Sequence, residues 1–232
     1  MQNQIKKLFL ENKIELEENE IKKFEKFLKI FITKNSQINL SAIRDETWII
    51  NKHFIDSVFL NIFVELEWKI ADMWTGWGFP LIPLAITNPN CQFVWIDSVW
   101  KKLKAVEEFA SDLGLNNVST LNWRAEDIWK NPEHRWQYDY VTSRATAFFP
   151  TLLEYVIPLL KMWGIFCAYK LDDKEELKSA KKALSKLWAK IIKVKNYTLA
   201  DQDRTIVLIQ KIRETPVKYP RKVWVPLASP IK

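Results

Sequence analysis

Glycine is nearly missing from this chain, with 4 in 232 residues, where an ordinary domain holds about 7%. Two of the four, Gly76 and Gly78, fall in a single turn. Cysteine is scarcer still: Cys91 and Cys167 lie in strand-like segments and read as buried thiols in a reducing compartment. With only His53 and His134 beside them, no group has metal-ligand spacing, so no metal is expected. No run of about 18 apolar residues occurs, which excludes a membrane-spanning helix. The first residues, MQNQIKKLFLENK, hold no apolar stretch long enough for a signal peptide, and a cytoplasmic location is expected.

Tryptophan is abundant instead, at 12 residues. The 4 Gly and 12 Trp together make up about 7% of the chain, the ordinary share of glycine alone. Trp77 stands between Gly76 and Gly78, Trp163 precedes Gly164 at an expected helix end, and Trp224 follows a Pro-Arg-Lys-Val turn. Such a pattern results when a gene that uses UGA for glycine is translated with a code that reads UGA as tryptophan. The alternative is a genuinely tryptophan-rich protein. Recoding predicts that Trp74 or Trp77 obstructs a ligand cavity at the turn. It also predicts unusual exposure of Trp100, Trp129 and Trp224, since true tryptophans are highly buried on average.

An apolar share of 48% with 27% charged residues is ordinary for a soluble domain, and the length suits one domain with an appendage. The net charge of +7 favours a polyanionic partner without requiring one. Ile21, Phe24, Phe27, Leu28 and Phe31 form one apolar stripe at helical spacing, so residues 1 to about 34 are expected to be helical. A second helix is expected from about Thr47 through Phe63. From Lys69 onward strand and helix patterns alternate, which argues for a mainly parallel sheet with helices on both faces. The last two strands, Ile191–Tyr197 and Thr205–Ile212, are joined by a loop too short for a crossover and should pair antiparallel. This is the layout of a Rossmann-like methyltransferase, an α/β fold, expected over residues 67–232 after a helical extension of residues 1–66.

In open α/β sheets ligands lie beyond the carboxyl ends of the strands. The turn Trp74–Phe79 follows the first strand, Asp97 ends the second, Ala125-Glu126-Asp127 follows the third and Ser143-Arg144-Ala145 the fourth. Together these suit a nucleoside-bearing cofactor, although Asp97 could equally cap a helix and Glu126 could be an exposed loop charge. The terminal hairpin favours S-adenosylmethionine over a dinucleotide.

The segments INLSAIRD, DMWTGWGFPLIPLA, IDSVWKK, RAED, YDYVTSRATA and TPVKYPRKVWVP resemble the ribosomal RNA small subunit methyltransferase G family, also called glucose-inhibited division protein B. The resemblance runs from about Asn39 to the end of the chain. Where that family has glycine, this sequence has Trp74, Trp100, Trp163 and Trp224; Leu81 and Leu171 also replace usual glycines and are not explained by recoding. The resemblance implies that Trp74 (as glycine), Gly76, Gly78 and Phe79 line the methionine and ribose part of the cofactor site. It implies that Asp97 holds the ribose hydroxyls, that Ala125 and Glu126 border the adenine, and that Arg144 lies near the reactive end, facing RNA. The implied reaction is N7-methylation of one guanine in small-subunit (16S) ribosomal RNA by a monomer.

Guanine N7 carries an in-plane lone pair and no proton, so alignment and exclusion of water suffice, which can supply roughly 7–11 kcal/mol. No catalytic base is assigned. Arg144 reads as a binder of phosphate or guanine O6, or as a structural partner of Glu126 or Asp139. His53 is a structural histidine or an RNA contact. Lys178, Lys181, Lys182, Lys186 and Lys190 form a solvated helix face or a phosphate ridge. Lys218, Arg221 and Lys222, set between prolines, are the better RNA candidates. The rival readings are a non-catalytic RNA-binding or ribosome-assembly factor on the same fold, and a Rossmann dehydrogenase.

Overall fold

The computed structural model describes residues 1–74, 76–123, 128, 131–144, 147–171, 174–222 and 224–231. The expected N-terminal helix forms as two, α1 (Gln2–Glu11) and α2 (Glu18–Ile38). The break falls where Lys13 takes a φ of 61°, a left-handed conformation that stops an α-helix. A capping box restarts the chain, the Glu17 N–H donating to Glu20 Oε2 at 2.7 Å. The predicted stripe of α2 is its buried face.

The span expected as one helix from Thr47 to Phe63 is wound in several ways. It comprises α3 (Glu46–Ile49), a π-helical stretch Ile50–Ile55, α4 (Asp56–Val58) and a 3-10 turn Phe59–Ile62. π turns of this kind are frequent at functional sites, and this one carries Lys52 and His53.

Among the described residues seven strands follow: β1 (Lys69–Met73), β2 (Gln92–Asp97), β3 (Val118–Asn122), β4 (Tyr138–Ser143), β5 (Leu160–Leu171), β6 (Ala189–Leu199) and β7 (Gln202–Lys211). Their order is β3-β2-β1-β4-β5-β7-β6. The first five pair parallel, and β7 pairs antiparallel with both β5 and β6. The expected antiparallel end hairpin is therefore present. Its two-residue turn places Ala200 and Asp201 at φ 50° and 60°, as the twist of a tight hairpin demands.

Between the strands lie α5 (Leu81–Thr87), α6 (Trp100–Leu113), α7 (Phe149–Val156), α8 (Lys174–Ser179) and α9 (Lys181–Leu187), and α10 (Val225–Ala228) follows the sheet. Helix α7 stops at Val156 and gives way to a turn over Ile157–Leu159. Pro158 explains this, because it has no N–H to donate to the Glu154 carbonyl and so interrupts the helical ladder. Lys161 belongs to β5.

Two apolar clusters cover the sheet. One joins Phe9, Phe24, Phe27 and Phe31 of the N-terminal helices to Phe54, Phe79, Phe93 and Phe109. The Phe27 ring packs on those of Phe31, Phe54, Phe79 and Phe109, at centroid separations of 5.0–6.1 Å. The other gathers Tyr138, Phe149, Tyr155 and Phe166 with Leu184 and Ile209. Among the described residues no helix is long and apolar enough to cross a membrane.

The tryptophans sit in unusual places. Trp68, Trp74, Trp136, Trp163, Trp188 and Trp224 adopt φ between 56° and 69°. A side chain held in that region costs roughly 1–2 kcal/mol. Six such residues cost on the order of 6–12 kcal/mol, as much as the net stability of a typical domain, about 5–15 kcal/mol. Trp163 lies inside β5 and not at a helix end, where Lys161–Gly164 bulge out between the pairs Tyr138–Leu160 and Tyr140–Ile165. Trp68, Trp100, Trp163 and Trp224 are 60–66% exposed, in line with the expectation for Trp100 and Trp224; Trp129 lies outside the described residues. Trp95 is fully buried.

Candidate active site

Strand β1 ends at Met73 and the chain turns sharply before α5. Gly76 and Gly78 take φ 68° and 91° in that turn. Gly78 also has no room for a side chain, since a Cβ would lie 3.0 Å from both Ile82 and Val106. Trp74 precedes them at φ 59°, its indole half-buried and edge-on to Tyr155 at 5.1 Å. Trp77 is likewise half-buried, against the first apolar cluster.

Asp97 ends β2 with its carboxylate buried. Oδ1 accepts the Val99 N–H at 2.8 Å and Oδ2 lies 4.0 Å from Lys102 Nζ. This is a turn ahead of α6, whose N-cap is Val99 with no side-chain cap, so Asp97 does not take the capping position foreseen as its alternative. Ala125 and Glu126 lie outside the described residues. Phe79, expected at the cofactor, has its ring buried in the aromatic core. It stacks on the His53 ring, centroids 4.6 Å apart and planes 16° from parallel.

Arg144, just past the end of β4, is bound on several sides. Its Nη1 donates to Asp56 Oδ2 at 2.9 Å and to the Lys52 carbonyl at 3.0 Å. Its guanidinium lies 5.6 Å from the Phe79 ring centroid. Asp139, one of the partners foreseen for Arg144, is engaged by Lys161 at 2.8 and 2.9 Å. The partner is Asp56, a fully buried carboxylate that also receives Arg204 Nη1 at 3.0 Å and the Tyr197 hydroxyl at 2.8 Å. One acid therefore ties the N-terminal segment, the end of β4, and strands β6 and β7 together. Sequence reasoning did not single out Arg204 or Tyr197; the only signal was a tyrosine ending one predicted terminal strand and an arginine just before the other. Burial, with the Asp56 charge adding, raises the Tyr197 phenol above its ordinary pKa.

His53 accepts a 3.4 Å contact from Arg144 Nη2 at Nδ1 and meets Ser41 Oγ at 3.0 Å through Nε2. A guanidinium can only donate, so the proton of the neutral ring belongs on Nε2. Burial, reinforced by Arg144, lowers its pKa from 6.5 to about 3. Between those values the unfolded chain binds a proton that the folded one does not. Stability contributed by neutral His53 is thus full above pH 6.5 and is lost as the pH falls towards 3. His53→Gln should flatten this acid loss when urea midpoints are measured across that window. An unchanged slope would remove His53 as its source.

Arg144, Arg204, Lys52, His53, Tyr197 and Lys170 line a cavity of about 480 Å³. It opens beyond the carboxyl ends of β4 and β5, beside the strand that carries the glycine turn. Among the described residues its one lining carboxylate, Glu176, accepts Lys170 at 2.6 Å. The walls are cationic and partly aromatic, which suits a base with an attached phosphate.

The basic candidates separate clearly. Lys218 and Lys222 are exposed. Arg221 carries a structural contact as well, its guanidinium forking onto the buried Glu154 at 2.7–3.2 Å and reaching the Ser229 carbonyl at 2.8 Å. Lys178, Lys181, Lys182, Lys186 and Lys190 are all solvated.

The sequence profile of the rRNA small subunit methyltransferase G family matches residues 20–207. This chain belongs to that family. The family member from Fusobacterium nucleatum, named ribosomal RNA small subunit methyltransferase G, is 40% identical over 94% of this chain and 95% of its own length. The Deinococcus radiodurans member of the same name is 39% identical over 90% and 84%. Among solved structures, a SAM-dependent methyltransferase from Aquifex aeolicus superposes with a TM-score of 0.55 at 17% identity, over 77% of this chain and 97% of that one. TYW2 from M. jannaschii in complex with AdoMet gives 0.53 at 16% identity, over 67% and 73%. The likeness to these two is one of fold. As a methyltransferase G family member the chain is an S-adenosylmethionine-dependent enzyme.

Proposed function

We propose that this chain methylates N7 of a guanine in small-subunit ribosomal RNA, with the cofactor over the ends of β1 and β2 and the guanine in the cavity beyond β4 and β5. The observation that carries this is Arg144. It is fixed by Asp56 at the end of β4, on the wall of a cationic cavity, one strand from the glycine turn.

The residues present fit S-adenosylmethionine in part. Asp97 offers a buried carboxylate of the kind that accepts two ribose hydroxyls, and Gly76 and Gly78 open the turn, whereas the Trp74 indole does not fit a cofactor path. When bound, the cofactor supplies an electrophilic methyl group. The chain's own part is positional: Arg144 and Arg204 present donors for guanine O6 or phosphate, and the aromatic wall of Phe79 and His53 stiffens Arg144 from behind. No proton need leave N7, so neither His53 nor the raised Tyr197 is asked to act as a base. Lys218 and Lys222 supply exposed positive charge for the RNA backbone.

Two measurements test the reading. Asp97→Ala should weaken S-adenosylmethionine binding by about 1.5–3 kcal/mol, the value of a charge-assisted pair of bonds, read by calorimetry; unchanged affinity in a folded variant removes Asp97 from the site. Arg144→Ala should leave that affinity nearly intact and depress methyl transfer to 16S RNA or small-subunit particles. Equal losses in both would move Arg144 to the cofactor side.

A further inference from the structure

We infer that Trp68, Trp74, Trp136, Trp163, Trp188 and Trp224 stand where the functional polypeptide carries glycine, inserted at UGA codons that the written sequence renders as tryptophan. The inference rests on backbone geometry and does not depend on the proposed reaction.

All six lie in the left-handed region, at φ 56–69°. That region is open to glycine and closed to bulky side chains except under strain. Among the described residues only four others that are not glycine enter it. Two of them, Ala200 and Asp201, form a two-residue hairpin turn, Lys13 follows the end of α1, and Asn39 caps α2. Asparagine and aspartate tolerate this conformation through local hydrogen bonds, whereas an indole has no such means.

Two helix ends give an internal comparison. Helix α6 ends on Gly114 at φ 64°, ψ 38°, with its N–H shared between the Ala110 and Ser111 carbonyls. Helix α9 ends on Trp188 at φ 56°, ψ 52°, with its N–H shared between the Leu184 and Ser185 carbonyls. The caps are the same device, and glycine is the residue that device selects. Trp163 repeats the theme in β5. There a Cβ on Gly164 would lie 3.0–3.1 Å from three backbone carbonyl oxygens, and its neighbour sits at φ 67°.

The side chains agree with the backbone. Trp68, Trp163 and Trp224 are at least 60% exposed. The buried Nε1 of Trp136 finds no hydrogen-bond partner, but neither does that of Trp95, so this feature does not separate the two and exposure with backbone geometry does. Trp95 is the contrary case: it fills the core from the regular strand β2, so the fold uses an indole there and the inference stops short of it.

At the cofactor turn the consequence is functional. Replacing Trp74 by glycine leaves three glycines among residues 74–78 and removes the ring now lying against Tyr155 at the end of β1. The methionine end of the cofactor gains the space that ring holds.

Peptide mass spectrometry on the protein purified from the cells that encode it decides the matter. We expect glycine at the six positions and tryptophan at position 95. Tryptophan at the six positions overturns the inference. A second measurement uses two recombinant proteins, the chain as written and a variant with all six tryptophans changed to glycine. The variant should bind S-adenosylmethionine at least tenfold more tightly and unfold at higher temperature. Trp188→Gly alone, distant from the turn, should raise the unfolding temperature without changing affinity. If no variant gains stability, the backbone argument fails. If stability rises while affinity does not, the glycine assignment stands and the placement of the cofactor beside Trp74 is what fails.

Discussion

Asp56→Ala should destabilise the fold by about 3–5 kcal/mol, the cost of breaking a buried ion pair from one side. Two guanidinium groups share this carboxylate, Arg144 at 2.9 Å and Arg204 at 3.0 Å, and the Tyr197 hydroxyl donates to its other oxygen at 2.8 Å. Both arginine side chains are 20% exposed or less, so removing the acid leaves two like charges facing each other in a poorly hydrated space. The loss should be read as a shift in urea midpoint at neutral pH. Asp56→Asn keeps the acceptor geometry at one oxygen and should lose less. A loss below about 1 kcal/mol, the value of an exposed pair, would mean that water reaches the cluster. Because the same change frees Arg144, methyl transfer should fall even under conditions where the variant remains folded.

Arg221→Ala should be about as damaging, again roughly 3–5 kcal/mol, and for a reason unrelated to RNA. Glu154 is fully buried in α7 and accepts hydrogen bonds from both the Arg221 guanidinium, at 2.7–3.2 Å, and the Arg221 backbone N–H, at 2.7 Å. Truncation leaves a buried carboxylate with only that N–H from this partner. The salt dependence of RNA binding, which counts the phosphates a protein neutralises, should stay unchanged in whatever fraction folds. A reduced slope with intact stability would return Arg221 to the RNA surface, beside Lys218 and Lys222.

The contrast between these two arginines marks what could be read from the chain. The parallel strands were legible because each is a short apolar run ending at a chemically distinctive residue, as Asp97 ends β2. The α2 stripe and the antiparallel hairpin were legible for similarly local reasons, periodicity in one and loop length in the other. The Glu154 contact of Arg221 was not legible, because three basic residues between prolines look alike until the packing partner is known. The Asp56 cluster was illegible as a cluster, since its members are separated by 88 and 148 positions and meet only through the strand order. The left-handed backbone at Trp68, Trp136 and Trp188 was equally hidden. Composition pointed to too many tryptophans, but only φ values separate these from Trp95.

That same separation sets a timetable for the nascent chain. Asp56 leaves the ribosome long before Arg204, and at about 5–20 residues per second the intervening 148 positions take roughly 7–30 s to synthesise. Throughout that interval Asp56 lacks Arg204, although the ring partners of the α2 phenylalanines, Phe54, Phe79 and Phe109, emerge well before β7. Contacts so distant in sequence also slow folding after release. The aromatic half of the fold can therefore close early, while the acid that locks it to the end of the sheet stays half-partnered until the last strand slots between β5 and β6.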